Sequence, residues 1–160
     1  VDVQKLYNDK DLQEYIKTNN LDAEILYFKE HTMTVKAAAE KLKLSKEYII
    51  KSILVLNERS EPFLIILNGD RKISFQKVMR ITSSENIRLA KAKEVKEILG
   101  YEIGSVPPIF HKSSVKVFID ERVLKYEYVI GGGGSTHSLL KIKSKDILNL
   151  TKALVCDISE

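Results

Sequence analysis

Two apolar runs that follow one another closely restrict this chain more than any other feature of its sequence. The first is Lys-Ser-Ile-Leu-Val-Leu-Asn (51–57) and the second is Phe-Leu-Ile-Ile-Leu-Asn (63–68). An extended chain with either sequence is apolar on both faces, as in strands that are covered on both sides. The polar segment between them is short enough for a hairpin. We therefore predict two neighbouring central strands in a sheet that is packed on both faces.

Shorter patterns around this pair predict an α+β domain. Apolar residues with helical spacing predict helices at 9–18, 35–44, 75–80, 92–99 and 145–151, and Thr34, Ser74 and Ser144 are the predicted caps of the second, third and last of these. Further strands are predicted at 24–28, 87–90, 115–119, 126–130 and 138–142. Glycines and prolines cluster, and none of the clusters forms a linker. We expect one compact domain, residues 1–160, with a mixed, largely antiparallel sheet and short flanking helices.

Basic residues are concentrated in the second half of the chain. Residues 1–70 carry 10 basic and 12 acidic side chains, whereas residues 71–160 carry 16 basic and 10 acidic ones. The basic residues singled out in this half are Arg88, Lys91, Lys93, Lys96, Lys112, Lys116, Lys141, Lys143 and Lys145. Such a distribution is typical of a protein with an anionic partner such as RNA, and a solvated lysine-rich surface is the alternative.

The sequence predicts a cytosolic, cytoplasmic protein with no membrane partner. No apolar stretch approaches the ~20 residues of a membrane span. The first five residues, Val-Asp-Val-Gln-Lys, lack the charged-then-apolar layout of a signal peptide. Cys156 is the only cysteine, so it cannot form an internal disulfide and has no second thiol for a metal site.

Lys51 is the first candidate for a functional side chain, because it opens an otherwise apolar strand. The next residues on its own face of that strand are Ile53 and Val55. A lysine in such surroundings has to extend its ammonium to solvent or to a polar pocket. A partly desolvated lysine is a strong electrostatic donor, and its pKa can fall. A lysine that simply extends from the strand end into water is the alternative.

Two glycine-containing turns are candidates for binding a ligand through main-chain groups. The first is Gly-Ser-Val-Pro-Pro (104–108), where glycine permits unusual backbone shapes and two prolines stiffen the chain. The second is the run of four glycines at 131–134, followed by Ser-Thr-His. A phosphate-binding P-loop is excluded there, because that motif needs a lysine before the Ser/Thr and a helix after it. The alternatives are a buried connection for the first turn and a flexible hairpin tip for the second.

The histidines do not form a recognisable metal or catalytic motif. His31, His111 and His137 have no spacing typical of a zinc site, and no strained nucleophile elbow indicates a Ser-His-Asp triad. His137 follows the glycine run directly and is the best placed of the three, with a role in the fold alone as the alternative. We expect no metal site and no cofactor.

Four segments, in the same order and at the same spacing, carry a resemblance to a known family. They are Ala-Ala-Ala-Glu-Lys-Leu (37–42), Ile-Ile-Lys-Ser-Ile-Leu (49–54), Gly-Tyr-Glu-Ile-Gly-Ser-Val-Pro-Pro (100–108), and Asp120-Glu121 with the glycine run ahead of Ser-Lys-Asp-Ile-Leu (144–148). Over roughly residues 10–150 the chain resembles the YbaK-like aminoacyl-tRNA deacylases. That family includes the inserted editing domain of bacterial prolyl-tRNA synthetase.

The resemblance implies hydrolysis of the ester between a wrong amino acid and the 3′-terminal ribose of tRNA. Lys51 falls on the family's essential lysine, and we expect its ammonium either to stabilise the developing oxyanion or to anchor the terminal phosphate. The 104–108 turn falls on a Gly-X-X-X-Pro loop that holds the terminal adenosine and the ester, and 132–134 falls on the glycine turn that walls the pocket. The implied substrate-binding residues are Gly104, Ser105, Val106, Pro107, Pro108, Gly132, Gly133, Gly134, His137 and His31.

The chain departs from the family pattern after the glycine turn. Cys-tRNA(Pro) deacylases usually carry Gly-X-Arg-Gly there, whereas this chain has Gly-Ser-Thr-His at 134–137. In having a histidine near this point, the chain resembles the prolyl-synthetase editing domain and the alanyl-specific relatives. The amino acid that is removed therefore stays open among alanine, cysteine and serine.

The leading hypothesis is a freestanding, metal-independent trans-editing hydrolase that removes a small amino acid from mischarged tRNA, with tRNA(Pro) as one candidate. Its partners would be the acceptor end of aminoacyl-tRNA and an aminoacyl-tRNA synthetase. One alternative is a non-catalytic tRNA- or synthetase-binding module of the same fold. Another is a hydrolase of small aminoacyl esters or amides that does not depend on tRNA.

Overall fold

The computed structural model describes residues 5–160, so most of the segment used for the signal-peptide prediction, Val1 to Gln4, lies outside the described residues. The helices are α1 (Asp9–Thr18), α2 (Val35–Leu42), α3 (Phe75–Thr82), α4 (Ala92–Leu99) and α5 (Ser144–Thr151). The strands are β1 (Ala23–Tyr27), β2 (Ile50–Asn57), β3 (Pro62–Asn68), β4 (Ile87–Leu89), β5 (Lys116–Asp120), β6 (Tyr128–Gly132), β7 (Ser138–Lys143) and β8 (Leu154–Cys156). Within this range, no helix has the length and apolar character needed to span a bilayer.

The predicted hairpin forms the centre of a five-stranded mixed sheet. β2 and β3 are antiparallel, and the strand order is β4–β2–β3–β5–β8, with β5 parallel to β3 and β8 parallel to β5. Along β3, Leu64 and Ile66 belong to one hydrophobic cluster while Ile65 and Leu67 belong to another, and all four side chains are fully buried. The prediction that both faces of the hairpin are covered is therefore confirmed.

A separate antiparallel sheet contains β1, β7 and β6 in that order. Its inner face shares a core with α1, α4 and α5. On its other face, Ala38 of α2 packs against Ile130 and Leu139. A parallel bridge between Ile49 and Ile130 joins this sheet to the start of β2. The α+β class is confirmed, and the division into two sheets leaves space between them.

The local capping predictions have mixed outcomes. Thr34 Oγ1 accepts from the Ala37 amide at 3.0 Å and Ser74 Oγ accepts from the Lys77 amide at 3.2 Å, so both predicted caps form. The predicted cap of α5 is wrong, because Ser144 is the first helical residue and its hydroxyl donates to the Tyr126 carbonyl at 2.6 Å. The short edge strand β8 was not predicted, since three residues at a sheet edge give no clear pattern.

Candidate functional site

A cavity of about 350 Å³ opens beside the first half of β2. β4 pairs only with residues 55–57 of that strand, and the bridge between Ile49 and Ile130 lies beyond its other end. Between these two contacts, residues 50–54 line the cavity. Further walls come from residues 32–35 and from the turns predicted to bind a ligand. The cavity therefore depends on the space that the two sheets leave between them.

Several of the residues selected from the sequence meet at this cavity. Lys51, Gly104, Val106 and Gly132 all line it, although they come from three separate segments of the chain. Gly131 lines it as well, whereas the remaining residues of the two turns are not among those lining it. Ser105, Pro107, Pro108, Gly133 and Gly134 are buried within the packed parts of the turns.

The ammonium of Lys51 is partly desolvated and held by a main-chain oxygen. Its side chain is half-buried, and Nζ donates a hydrogen bond to the carbonyl oxygen of Arg71, in the loop that follows β3. Burial lowers the pKa of Lys51, the Asp70 carboxylate opposes this shift, and the Lys72 ammonium adds to it. A cation held in this way interacts more strongly with a nearby negative charge than one in water.

The two glycine-containing turns contact each other directly. The Gly134 amide donates to the Ser105 carbonyl at 3.0 Å. A methyl group on Gly132 would lie only 2.2 Å from the Val106 carbonyl oxygen. Gly104 has a φ of +86°, in the left-handed region that favours glycine. These glycines allow two main chains to approach closely enough to form one continuous wall.

A set of hydrogen bonds supports the 104–108 turn from its packed side. Nε2 of His111 lies 2.8 Å from the Pro107 carbonyl oxygen, and the Ser105 hydroxyl donates to the Glu102 carbonyl at 2.7 Å. Burial lowers the pKa of His111, and the bond to Pro107 opposes that shift. His111 had no predicted function in the sequence, and the structure places it as a support of this turn.

We expect His111 to make the fold sensitive to acid. Because its folded-state pKa lies below the unfolded value of about 6.5, its contribution to stability is complete above that value and is lost as the pH falls through the folded pKa. His111→Gln keeps a donor for the Pro107 oxygen and does not titrate. Its free energy of unfolding should therefore fall less than that of the wild type between about pH 7 and pH 5. Urea unfolding across this range measures the difference, and identical pH slopes would contradict it.

Other cavity residues were missed by the sequence analysis. Met33, Leu89 and Ile103 line the cavity while remaining 43%, 55% and 55% exposed, so they form an apolar collar at its opening. Ser52 also lines the cavity, and its buried hydroxyl has no hydrogen-bond partner within residues 5–160. Single exposed apolar residues are common on protein surfaces, so no sequence signal identifies these positions.

The structure places His31 and His137 on the surface, outside the set of cavity-lining residues. His31 directly precedes Thr32 and Met33, which do line the cavity. Nδ1 of His137 lies 2.8 Å from the hydroxyl of Thr136. The substrate-binding roles of both histidines stay predictions. Across the described part of the chain, no group of three or more His, Cys, Asp or Glu side chains is placed to hold a metal ion.

Comparisons with known proteins connect this cavity to a family. The family model described as "Aminoacyl-tRNA editing domain" matches residues 29–150, a range that includes Lys51 and both turns. The uncharacterised protein YwhH of Bacillus subtilis is 30% identical over 128 residues, which cover 80% of this chain and 81% of YwhH. A proline–tRNA ligase of Thermodesulfovibrio yellowstonii is 33% identical over 107 residues, which cover 66% of this chain and 18% of the ligase.

A solved structure has the same fold over nearly the whole length of both chains. It is the crystal structure of a candidate trans-editing enzyme for prolyl-tRNA synthetase, with a TM-score of 0.86 at 28% identity, covering 95% of this chain and 96% of that one. This chain spans only about a fifth of the length of the proline–tRNA ligases that it matches, between 16% and 22%. The family predicted from the sequence is thereby confirmed: the chain belongs to the aminoacyl-tRNA editing domain family.

Proposed function

We propose that this protein is a trans-acting aminoacyl-tRNA deacylase, which hydrolyses the ester of a small amino acid on the 3′-terminal ribose of mischarged tRNA. The observation that carries the proposal is that Lys51, Gly104, Val106 and Gly132 line the same cavity. Membership in the editing-domain family supports the same reaction. The partner would be the acceptor end of the tRNA.

Positioning and charge stabilisation are sufficient for this reaction, because an aminoacyl ester is already activated. In the proposed step, a water oxygen bonds to the carbonyl carbon and the carbonyl oxygen becomes an oxyanion, which the Lys51 ammonium stabilises. The bond between that carbon and the ribose oxygen then breaks, and the ribose oxygen takes up the proton that the water releases. The ribose 2′-hydroxyl is the candidate relay for this proton. A single preorganised donor typically changes the rate about 100- to 1,000-fold.

The size and lining of the cavity favour a small amino acid. Its volume of about 350 Å³ lies near the lower end of the ~300–1,000 Å³ range of small-molecule sites. Ile50, Ile53, Val95 and Leu99 supply aliphatic walls. Alanine, cysteine and serine are the proposed substrates, because a synthetase pocket cannot strongly reject a smaller or isosteric side chain. The likeness to proline–tRNA ligases makes tRNA(Pro) the first tRNA to test.

The surroundings of the cavity opening support an approach by the tRNA end. The apolar collar offers a contact surface for the terminal base, since exposed apolar patches commonly mark binding grooves. Arg88 precedes the collar residue Leu89 and forms a bidentate ion pair with Glu94 at 2.8 and 2.9 Å. A guanidinium pairs bidentately with a phosphate as it does with a carboxylate, so a tRNA phosphate can compete with Glu94 for this arginine. A protein with this substrate would act in the cytoplasm beside an aminoacyl-tRNA synthetase.

A panel of purified mischarged tRNAs tests the proposed function. We expect release of the free amino acid from at least one of Ala-tRNA, Cys-tRNA and Ser-tRNA, while correctly charged Pro-tRNA stays intact. Binding of the tRNA should weaken as the salt concentration rises, because phosphate contacts release counterions. Salt-dependent binding with every ester intact would favour a non-catalytic tRNA- or synthetase-binding module. Equal hydrolysis of free aminoacyl esters would remove tRNA from the proposed substrate.

A further inference from the structure

The loop that receives the Lys51 ammonium is held on its other side by residues 157–160. This segment runs alongside residues 72–74 through two main-chain hydrogen bonds of 2.9 Å. An antiparallel bridge between Ile73 and Ser159 lies between these bonds. The segment falls outside the range 29–150 that matches the editing-domain family, so the family match does not account for it.

Arg71 connects this segment to the cavity. Its Nε donates to the hydroxyl of Ser159 at 2.7 Å, and its Nη2 donates to the main-chain oxygen of Glu160. Its own carbonyl oxygen accepts the hydrogen bond from Lys51. A single residue therefore contacts residues 159 and 160 with its side chain and the cavity lysine with its main chain.

Ser159 is itself anchored by buried and charged neighbours. It is fully buried, and its hydroxyl also receives a hydrogen bond from Nη1 of Arg122 at 3.1 Å. The same Nη1 lies 3.1 Å from the carboxylate of Asp120, which is fully buried as well. Nζ of Lys77 donates to the Ser159 carbonyl at 2.7 Å. Buried polar networks whose members are hydrogen-bonded are rigid, so Ser159 is a fixed anchor for Arg71.

We propose that Arg71 is a positioning residue for Lys51: the Ser159 network fixes the arginine side chain, and thereby the carbonyl that orients the lysine ammonium at the cavity. Lysine has a long and flexible side chain, and an ammonium is most effective when it is held in place before the reaction. The catalytic consequence of this inference rests on the proposed function. The chain of contacts itself does not.

Arg71→Ala tests the inference, because it removes the side-chain anchor and keeps the main-chain carbonyl. We expect kcat for deacylation to fall about tenfold with KM for the tRNA nearly unchanged, since the lysine is present but less well oriented. We also expect the Lys51 amine to react several-fold faster with acetic anhydride in competition labelling read by mass spectrometry, because the loosened loop exposes it. Arg59→Ala is the matched control: it removes an arginine from ion pairs at the turn between β2 and β3, and should change neither quantity.

A second pair of variants separates positioning from a general loss of stability. Ser159→Ala should produce both changes to a smaller extent. Ser144→Ala is the control, because it removes the hydrogen bond that a different buried serine donates to the Tyr126 carbonyl. This variant should leave the labelling of Lys51 unchanged. Wild-type labelling of Lys51 in both Arg71→Ala and Ser159→Ala would overturn the inference. If the wild-type protein hydrolyses no mischarged tRNA, the proposed function fails, while the labelling still decides whether Arg71 positions Lys51.

Discussion

Replacing Lys51 with alanine is expected to lower the rate of aminoacyl-tRNA hydrolysis about 100- to 1,000-fold, because the loss of one preorganised charge donor typically has this effect. The protein should still fold. The ammonium is partly desolvated, so its removal also relieves the penalty of burying a charge. Single-turnover hydrolysis of the best substrate from the mischarged panel measures the rate, and thermal unfolding measures the stability.

Two further lysine variants make this result specific. Lys17→Ala removes an exposed lysine from the last turn of α1 and should keep the wild-type rate. Lys51→Arg keeps the positive charge and changes the shape of the donor, so we expect a rate between those of the alanine variant and the wild type. A wild-type rate in Lys51→Ala would remove the lysine from the proposed mechanism.

Gly132→Ala is expected to destabilise the fold by about 3 kcal/mol, which corresponds to a decrease in Tm of about 6–12 °C for a domain of this size. The added methyl carbon would lie 2.2 Å from the Val106 carbonyl oxygen and 2.7 Å from its carbon. Both atoms belong to the main chain, so a change of rotamer cannot relieve the overlap. Since Gly132 and Val106 both line the cavity, the backbone shift that restores contact should also abolish hydrolysis.

The neighbouring glycine offers a matched comparison for this variant. A methyl group on Gly131 would meet side-chain atoms, Cδ of Pro108 at 3.1 Å and Cγ1 of Ile50 at 3.2 Å. These atoms can move by a few tenths of an ångström, so Gly131→Ala should cost less stability than Gly132→Ala. Equal unfolding temperatures for the two variants would show that the approach of the two turns is not what requires glycine at 132.

Most of the strands and helices could be predicted because their signals are local. The predicted helix at 9–18 coincides with α1, and the hairpin of β2 and β3 agrees with its prediction to within a residue or two at each end. The predicted cap of α5 is wrong because a distant group replaces a local one. Ser144 was expected to cap α5 because serine usually does so, yet its hydroxyl donates to the Tyr126 carbonyl, 18 residues away along the chain.

The candidate site could be predicted only in part. Lys51 and both turns were selected from the sequence and from the family resemblance, and the structure brings members of all three to one cavity. The apolar collar was not predicted, because Met33, Leu89 and Ile103 are single apolar residues in three unrelated segments. The link from Lys51 through Arg71 to Ser159 was not predicted either, since its members are up to 108 residues apart.

The sequence by itself determined the buried hairpin, the α+β class and the family, because apolar periodicity and ordered motifs are properties of short stretches of chain. Only the tertiary structure decided which side chains share the cavity and what holds its lysine. Those contacts arise where β2 extends past β4, where two glycine-containing turns meet, and where residues 157–160 return to the loop after β3. Each contact joins segments that are remote in sequence, so packing of the two sheets and the surrounding chain creates a site that no local pattern encodes.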